Sequence, residues 1–395
     1  MTVSEIKKQF IDIYGGSEED LRVFASPGRV NLIGEHTDYT GGYVLPAALK
    51  FRTSIVLRPN GENVVRMAAT DLPDRVNVDI SKIEDYKDLR WGNYQAGIIS
   101  EMLKDNYDIV GCDMLYDDTT PHGGGLSSSA AIEVSTALAF ATLHYEKNSI
   151  TEPVNMVEMA KIGQRAENIY VGVNCGIMDQ FASAMGIEDH AIFLQCQTLE
   201  YKHVPVVLRG KKIVVSNTKK KHSLGESKYN ERRQQCEEAF AILKTVMPDK
   251  NCLGEISVEE FEQHKYVLTD DILLRRARHI ISENDRVLKS IDALKAGNIV
   301  KFGELMNGSH NSLRDDYEVT GLELDAMVEE ARKINGVLGS RMTGGGFGGC
   351  TVSIVEADAV DTFIAEVGKN YEARTGLKPE FYVTEIGNGG CEIKL

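Results

Sequence analysis

Apolar positions along the chain fall into two periods, one helical and one alternating. Over residues 4–15 they recur at helical spacing, which predicts a short amphipathic helix stopping near Gly15-Gly16. β-Branched runs at Leu21–Ala25, Thr53–Leu57 and Val64–Met67 predict strands. From Ser127 to Tyr145 the apolar residues, Ile132, Leu138 and Phe140 among them, return to helical spacing, and Gly then Ser at the start offers a capping hydroxyl. A second helix is expected over residues 154–170, before a Gly/Asn-rich stretch from Val171 to Gly176. The second half reads as strands at Ala191–Leu194, Lys212–Ser216, Cys350–Val355 and Phe381–Glu385. Helices are expected at 226–246, 271–296, 322–334 and 359–375. Strands and helices mix without regular β-α alternation, so the pattern predicts an α+β fold. The length of 395 residues suits two or three domains, and the chain divides best into two, 1–200 and 201–395, with a soft seam around residues 195–215 and no linker of biased composition.

Charge narrows the function classes. The chain has 59 acidic and 44 basic side chains, a formal charge of −15. That balance argues against gripping nucleic acid or an anionic membrane, though a local amide-lined pocket can still hold an anion. The first residues lack the apolar core of a secretion signal, and no run approaches the ~18 apolar residues of a membrane span. Seven Cys without a C-x-x-C pair read as reduced thiols, which places the chain in the cytoplasm.

Glycine is the informative entry, at 36 of 395 residues. Many lie in three clusters, Gly34 to Gly42, Gly123 to Gly125 and Gly344 to Gly349. Glycine permits positive φ and close approach of backbone to a ligand. In the second cluster, Pro121-His-Gly-Gly-Gly-Leu-Ser-Ser-Ser-Ala130 opens a helix. A glycine loop feeding a helix N-terminus aims several N–H groups and the helix dipole at one spot, which suits phosphate. The same residues also suit a plain capping turn. There is no Walker A lysine. The third cluster contains Gly344-x-Gly346-x-x-Gly349, but it runs into a strand rather than a helix, so it is not a dinucleotide fingerprint. The first, Pro27-Gly-Arg29-Val-Asn-Leu-Ile-Gly34-Glu35-His36-Thr37-Asp38-Tyr-Thr-Gly41-Gly42, crowds Arg, Glu, His and Asp among apolar residues. That grouping favours a polyhydroxylated ligand over a solvated charge run. Asp179, flanked by apolar residues, is either a satisfied buried carboxylate or a working group paired with an arginine. Glu167 is either a helix-surface acid or a metal ligand.

Together these segments resemble the galactokinases, within the GHMP small-molecule kinase family, over essentially the whole chain. Gly28-Arg29-Val-Asn-Leu-Ile-Gly-Glu-His-Thr-Asp-Tyr39 looks like the galactokinase signature. Gly123-Gly-Gly-Leu-Ser-Ser-Ser-Ala130 is similar to the family's phosphate loop, with Gly124 where Ala is common. Thr343-Gly-Gly-Gly-Phe-Gly-Gly349 is similar to its third motif. Asn174-Cys-Gly-Ile-Met-Asp179-Gln and Lys221-His-Ser-Leu…Tyr229-Asn-x-Arg-Arg fit as well.

The resemblance implies a two-domain fold, an N-terminal mixed-sheet α/β domain and a ferredoxin-like C-terminal domain with the active site between them. It implies transfer of phosphoryl from ATP to the C1 hydroxyl of D-galactose. Asp179 would be the base and Arg29 would pair with it and stabilise the γ-phosphoryl charge. Glu35, His36, Thr37, Asp38, Gly176 and Tyr229 would bind the sugar. Gly123, Gly124, Gly125, Leu126, Ser127, Ser128 and Ser129 would wrap the ATP phosphates, with Trp91 and Tyr94 near adenine. Ser129 and Glu167 would hold Mg²⁺. The expected partners are galactose and ATP, with no nucleic acid and no membrane, in a monomer or weak homo-oligomer. A kinase for another sugar and a non-catalytic galactose/ATP sensor are the alternatives.

Overall fold

The computed structural model describes residues 1–121, 125–220 and 225–394. Helix α1 (Val3–Tyr14) opens with a capping box in which Thr2 and Glu5 satisfy each other's backbone N–H groups. Strands β1 (Arg22–Asn31), β2 (Tyr43–Val44), β3 (Pro46–Pro59), β4 (Val64–Ala69) and β5 (Val76–Asp79) follow. Next come α2 (Asn93–Lys104), β6 (Cys112–Asp118), α3 (Ser128–Lys147), α4 (Met156–Arg165), α5 (Met178–Met185), β7 (His190–Gln195) and β8 (Tyr201–Pro205). The second half holds β9 (Lys211–Asn217), α6 (Gly225–Lys244), α7 (Val258–His264), α8 (Asp271–Lys295), α9 (Ile299–Ser312) and α10 (Gly321–Lys333). It closes with β10 (Val337–Thr343), β11 (Cys350–Glu356), α11 (Val360–Thr375), β12 (Glu380–Thr384) and β13 (Cys391–Glu392).

The large sheet has the order β13-β1-β3-β6-β4-β5 and is mixed, because β4 runs parallel to β6. Alternation along each strand divides its side chains between two faces. Val23 and Val56 face Ile6 and Phe10 of α1, while Phe24, Ile55 and Leu57 join a core with α2, α3 and α4. The second sheet has the order β10-β11-β9-β12, fully antiparallel, with α10 and α11 packed on one face. Counted in its own chain order this is the 2-3-1-4 arrangement of a ferredoxin-like unit. Its other face supplies Ile213, Val215 and Val352 to a core shared with Val30, Leu32 and Leu45 of the first half. A continuous apolar seam thus joins the halves, and polar loops at its rim are held in fixed relation.

Three findings depart from the sequence expectation. The helix expected over 154–170 starts at Met156, because Asn155 accepts hydrogen bonds from Val157 N and Glu158 N, and it ends in a wide turn over Ala166–Val171. Helices α2, α5 and α9 and strands β6 and β10 were not expected. In α2 every residue from Gln95 to Met102 is buried, so there is no polar face to create a period. A boundary at residue 200 also falls inside the β7–β8 hairpin, whereas β13 returns from the far end of the chain to pair with β1.

Candidate active site

Three loops meet at the rim of the seam. The first leaves β1, where a register shift between Pro27 and Arg29 kinks the strand. A Cβ at Gly28 would collide with Leu126 O and press on Thr120, so glycine lets this strand touch the second glycine loop. Arg29 N donates to Leu126 O at 2.9 Å. The Arg29 side chain then reaches Asp179, in the first turn of α5, as a fork: Nε to Oδ1 at 2.8 Å and Nη2 to Oδ2 at 2.7 Å. Its Nη1 donates to Gly125 O at 2.8 Å. The Arg29 side chain is 5% exposed and the Asp179 side chain 30%, so the pair is anchored at one end and open at the other.

Two cavities adjoin this pair. One, of about 420 Å³, is lined by Glu35, His36, Asp38, Asn174, Gly176 and Tyr229 with their neighbours. The other, of about 470 Å³, is lined by Tyr94, Leu126, Ser127, Ser128, Ser129 and the third glycine loop. Arg29, Asp179 and Gly344 to Gly346 line both. The first is rich in hydroxyl-binding carboxylates and an aromatic wall. The second opens onto the N-terminus of the 20-residue helix α3.

Asp38 and Glu35 occupy opposite roles in the first cavity. Asp38 faces the first cavity, and a Cβ at Gly176 would collide with its carboxylate, which explains glycine there. Burial and the charge of Asp179 push the Asp38 carboxyl up to about 7. A carboxyl that keeps its proton longer when folded than when unfolded stabilises the fold at acid pH and loses that contribution as pH rises towards its folded value. Asp38→Asn is therefore expected to gain on the parent as pH rises. Urea unfolding at about pH 5 and about pH 8 reads the difference, and equal gaps at both would contradict it. Glu35 is 2% exposed, and its Oε1 accepts from Gly344 N at 2.9 Å and from Arg341 Nη1 at 3.3 Å. One oxygen of this candidate sugar ligand thus ties the first and third glycine loops together.

Several of these side chains also make contacts within the protein. Thr37 does not line the cavity: its hydroxyl donates to Gly34 O at 2.9 Å and Tyr43 O at 2.6 Å, closing its own loop. Ser127 sits in the left-handed region (φ 60°) and does not cap α3; its hydroxyl donates to Asp179 Oδ2 instead. The Ser128 hydroxyl donates to Asp118 Oδ2, a carboxylate the sequence did not flag. Trp91 does not line the second cavity. Its ring packs on the first core, edge-on to Tyr116, and Tyr94 lines the cavity. Gly123 and Gly124 lie outside the described residues, as does the Lys221-His-Ser-Leu segment.

The Mg²⁺ expectation can be tested on donor chemistry. Among the described residues no group of three His, Cys, Asp or Glu side chains forms a metal cage. Mg²⁺ in phosphoryl transfer does not need one, since one or two protein oxygens plus substrate phosphates suffice. Ser129 lines the second cavity; Glu167 lines neither, and burial with the charge of Asp179 pushes its carboxyl up to about 7. Gln180 Nε2 donates to Glu167 Oε2 at 2.8 Å and to Glu133 Oε2 at 2.9 Å. Among the described residues Glu133 Oε1 and Gln180 Oε1 are buried without hydrogen-bond partners. Oxygen donors are thus in surplus, and they suit a hard cation. Glu133, Gln180 and Arg341 were not singled out from sequence; a buried carboxylate inside an apolar helix run was the available signal for Glu133.

Comparison with known proteins decides the family. The galactokinase galactose-binding signature matches residues 8–59, the GHMP kinase N-terminal domain residues 93–187 and the GHMP kinase C-terminal domain residues 290–373. The chain is 50% identical to a galactokinase of Fusobacterium nucleatum, over 98% of this chain and 98% of that one. It is 47% identical to a galactokinase of Clostridium tetani, over 100% of this chain and 98% of that one. The chain belongs to the galactokinase family. The structure of Lactococcus lactis galactokinase complexed with galactose superposes with a TM-score of 0.91 at 41% identity, covering all of both chains. A mevalonate kinase at 18% identity and a TM-score of 0.65, over 93% of this chain and 99% of that one, shares the GHMP kinase fold. The galactokinase signature spans Arg29, Glu35, His36 and Asp38, and the N-terminal domain match spans Ser127 to Ser129, Glu167 and Asp179. No helix among the described residues is long and apolar enough to cross a membrane.

Proposed function

We propose that this chain transfers the γ-phosphoryl group of ATP to the C1 hydroxyl of D-galactose, releasing ADP and galactose 1-phosphate. The observation that carries the reading is the sharing of Asp179 and Arg29 by two cavities of different chemistry. The galactose-bound Lactococcus lactis relative adds support. Galactose would occupy the cavity of Glu35, His36, Asp38, Gly176 and Tyr229. The phosphates would lie along Gly125 to Ser129 at the start of α3.

Asp179 accepts the proton as the C1 oxygen attacks, a contribution of about 10²–10⁴-fold. Arg29 orients that carboxylate through its fork and keeps positive charge beside the transferring group. Because phosphoryl transfer is loose, alignment of oxygen and phosphorus dominates, and proximity accounts for up to roughly 7–11 kcal/mol in favourable cases. Mg²⁺, held by Ser129 and Glu167 directly or through water, would neutralise phosphate charge. Seven unpaired thiols support a cytoplasmic place. The acidic balance supports a chain without nucleic-acid or membrane partners, and a monomer or weak homo-oligomer completes the reading.

The test is a coupled ADP assay across hexoses and pentoses. Galactose should be preferred, with ADP formed only when sugar and Mg²⁺ are both present. Preference for another sugar would reassign the substrate, and binding of both ligands without ADP would favour a sensor.

A further inference from the structure

His36 stands out among the residues of the sugar cavity. It has φ 64°, which a non-glycine side chain adopts only under constraint, and it is 4% exposed. Its Nδ1 lies 2.8 Å from Tyr39 Oη, which lies 2.8 Å from Tyr317 Oη, which lies 3.1 Å from Cys236 Sγ. The chain is rigid. Tyr317 is fully buried under the His279 ring at 4.5 Å, and Arg232 Nε donates to its carbonyl at 2.7 Å. Among the described residues His36 Nε2 is buried without a well-aligned hydrogen-bond partner, beside the Gly345 main chain at the wall of the cavity. Burial, with help from the charge of His279, lowers the His36 pKa to about 3, so the ring is neutral and carries one proton.

Two orders of protons fit these distances. In one, the Cys236 thiol donates to Tyr317, Tyr317 to Tyr39 and Tyr39 to His36 Nδ1, leaving the proton on Nε2. In the other, Nδ1–H donates to Tyr39 and the series ends on sulfur. The first sets a phenol O–H against an imidazole lone pair, a well-matched acid and base. The second makes the imidazole N–H, a poorer acid than phenol, donate to a phenol oxygen, and ends on a weak acceptor. Cooperative polarisation along the chain enlarges the preference.

We propose that the Cys236–Tyr317–Tyr39 relay fixes His36 with its proton on Nε2, so that His36 presents a hydrogen-bond donor to a sugar hydroxyl. Tyr39 and Tyr317 are then positioning residues for sugar recognition, an inference that rests on the galactose reading above. Among the described residues the Gly345 main chain is the protein group beside Nε2, at the cavity wall that the sugar would meet.

The test is ¹⁵N NMR of the full chain labelled at histidine, with the His36 signals assigned by their loss in His36→Gln. The wild type should show a protonated Nε2 and a bare Nδ1. In Tyr39→Phe the preference should collapse to a mixture, and the galactose KM should rise about twofold, the inverse of the fraction still protonated on Nε2, with the loss falling on KM rather than kcat. Tyr317→Phe should shift both readouts in the same direction by less. A protonated Nδ1 in the wild type, or an unchanged tautomer in Tyr39→Phe, would overturn the proposal. A protonated Nε2 in a protein that turns over a different sugar overturns the galactose assignment alone.

Discussion

Asp179→Asn is expected to lower kcat by about 10²–10⁴-fold while the galactose KM moves little. Asparagine keeps the shape of the side chain and one oxygen for Arg29, but it cannot take a proton. Arg29 stays anchored by Gly125 O at 2.8 Å, so the variant should fold. A coupled ADP assay at saturating galactose reads the loss. Turnover within a few-fold of the parent would mean that Asp179 orients rather than deprotonates.

The second large effect is on stability. Arg341 is fully buried, and its Nη1 donates to Asn31 O at 2.9 Å and to Glu35 Oε1 at 3.3 Å. Arg341→Met should destabilise the fold by about 3–5 kcal/mol, because it leaves the Glu35 carboxylate buried beside a methyl thioether. Adding Glu35→Gln should recover part of that loss, since the uncompensated charge goes with it. Urea unfolding of both single variants and the double variant measures this coupling. Strictly additive losses would show that the two side chains act separately.

Arg341 marks a limit of what the sequence discloses. It stands between Ser340 and Met342 in a strand, and its carboxylate partner is 306 positions away. No local spacing could have joined them. The glycine clusters were legible because their signal is local: a turn, a helix start and a crowd of polar residues around it. The family resemblance those clusters carry, rather than their spacing, named Arg29, Asp38, Gly176 and Asp179, and all four line one cavity. It was not enough for hydroxyls, whose bonding depends on a few ångströms of backbone. Thr37 closes its own loop, and Ser127 and Ser128 turn to Asp179 and Asp118. Trp91 and Tyr94 differ by less than one helical turn, yet only Tyr94 lines the phosphate-side cavity. Tyr317 was not singled out, and Tyr39 stood only as the last residue of the signature, because a series of hydroxyl contacts leaves no periodic trace. The fold behaves likewise: amphipathic α1 and α8 were visible, whereas α2, buried all round, was not.

The central claim is transfer to C1 at the junction held by Arg29 and Asp179. Phosphorus NMR of the reaction of ATP, Mg²⁺ and galactose tests it most directly, with Asp179→Asn run alongside. The account predicts galactose 1-phosphate and ADP in equal amounts from the parent and almost none from the variant. Phosphate on another hydroxyl, ADP formed equally without galactose, or an equal yield from Asp179→Asn would contradict it.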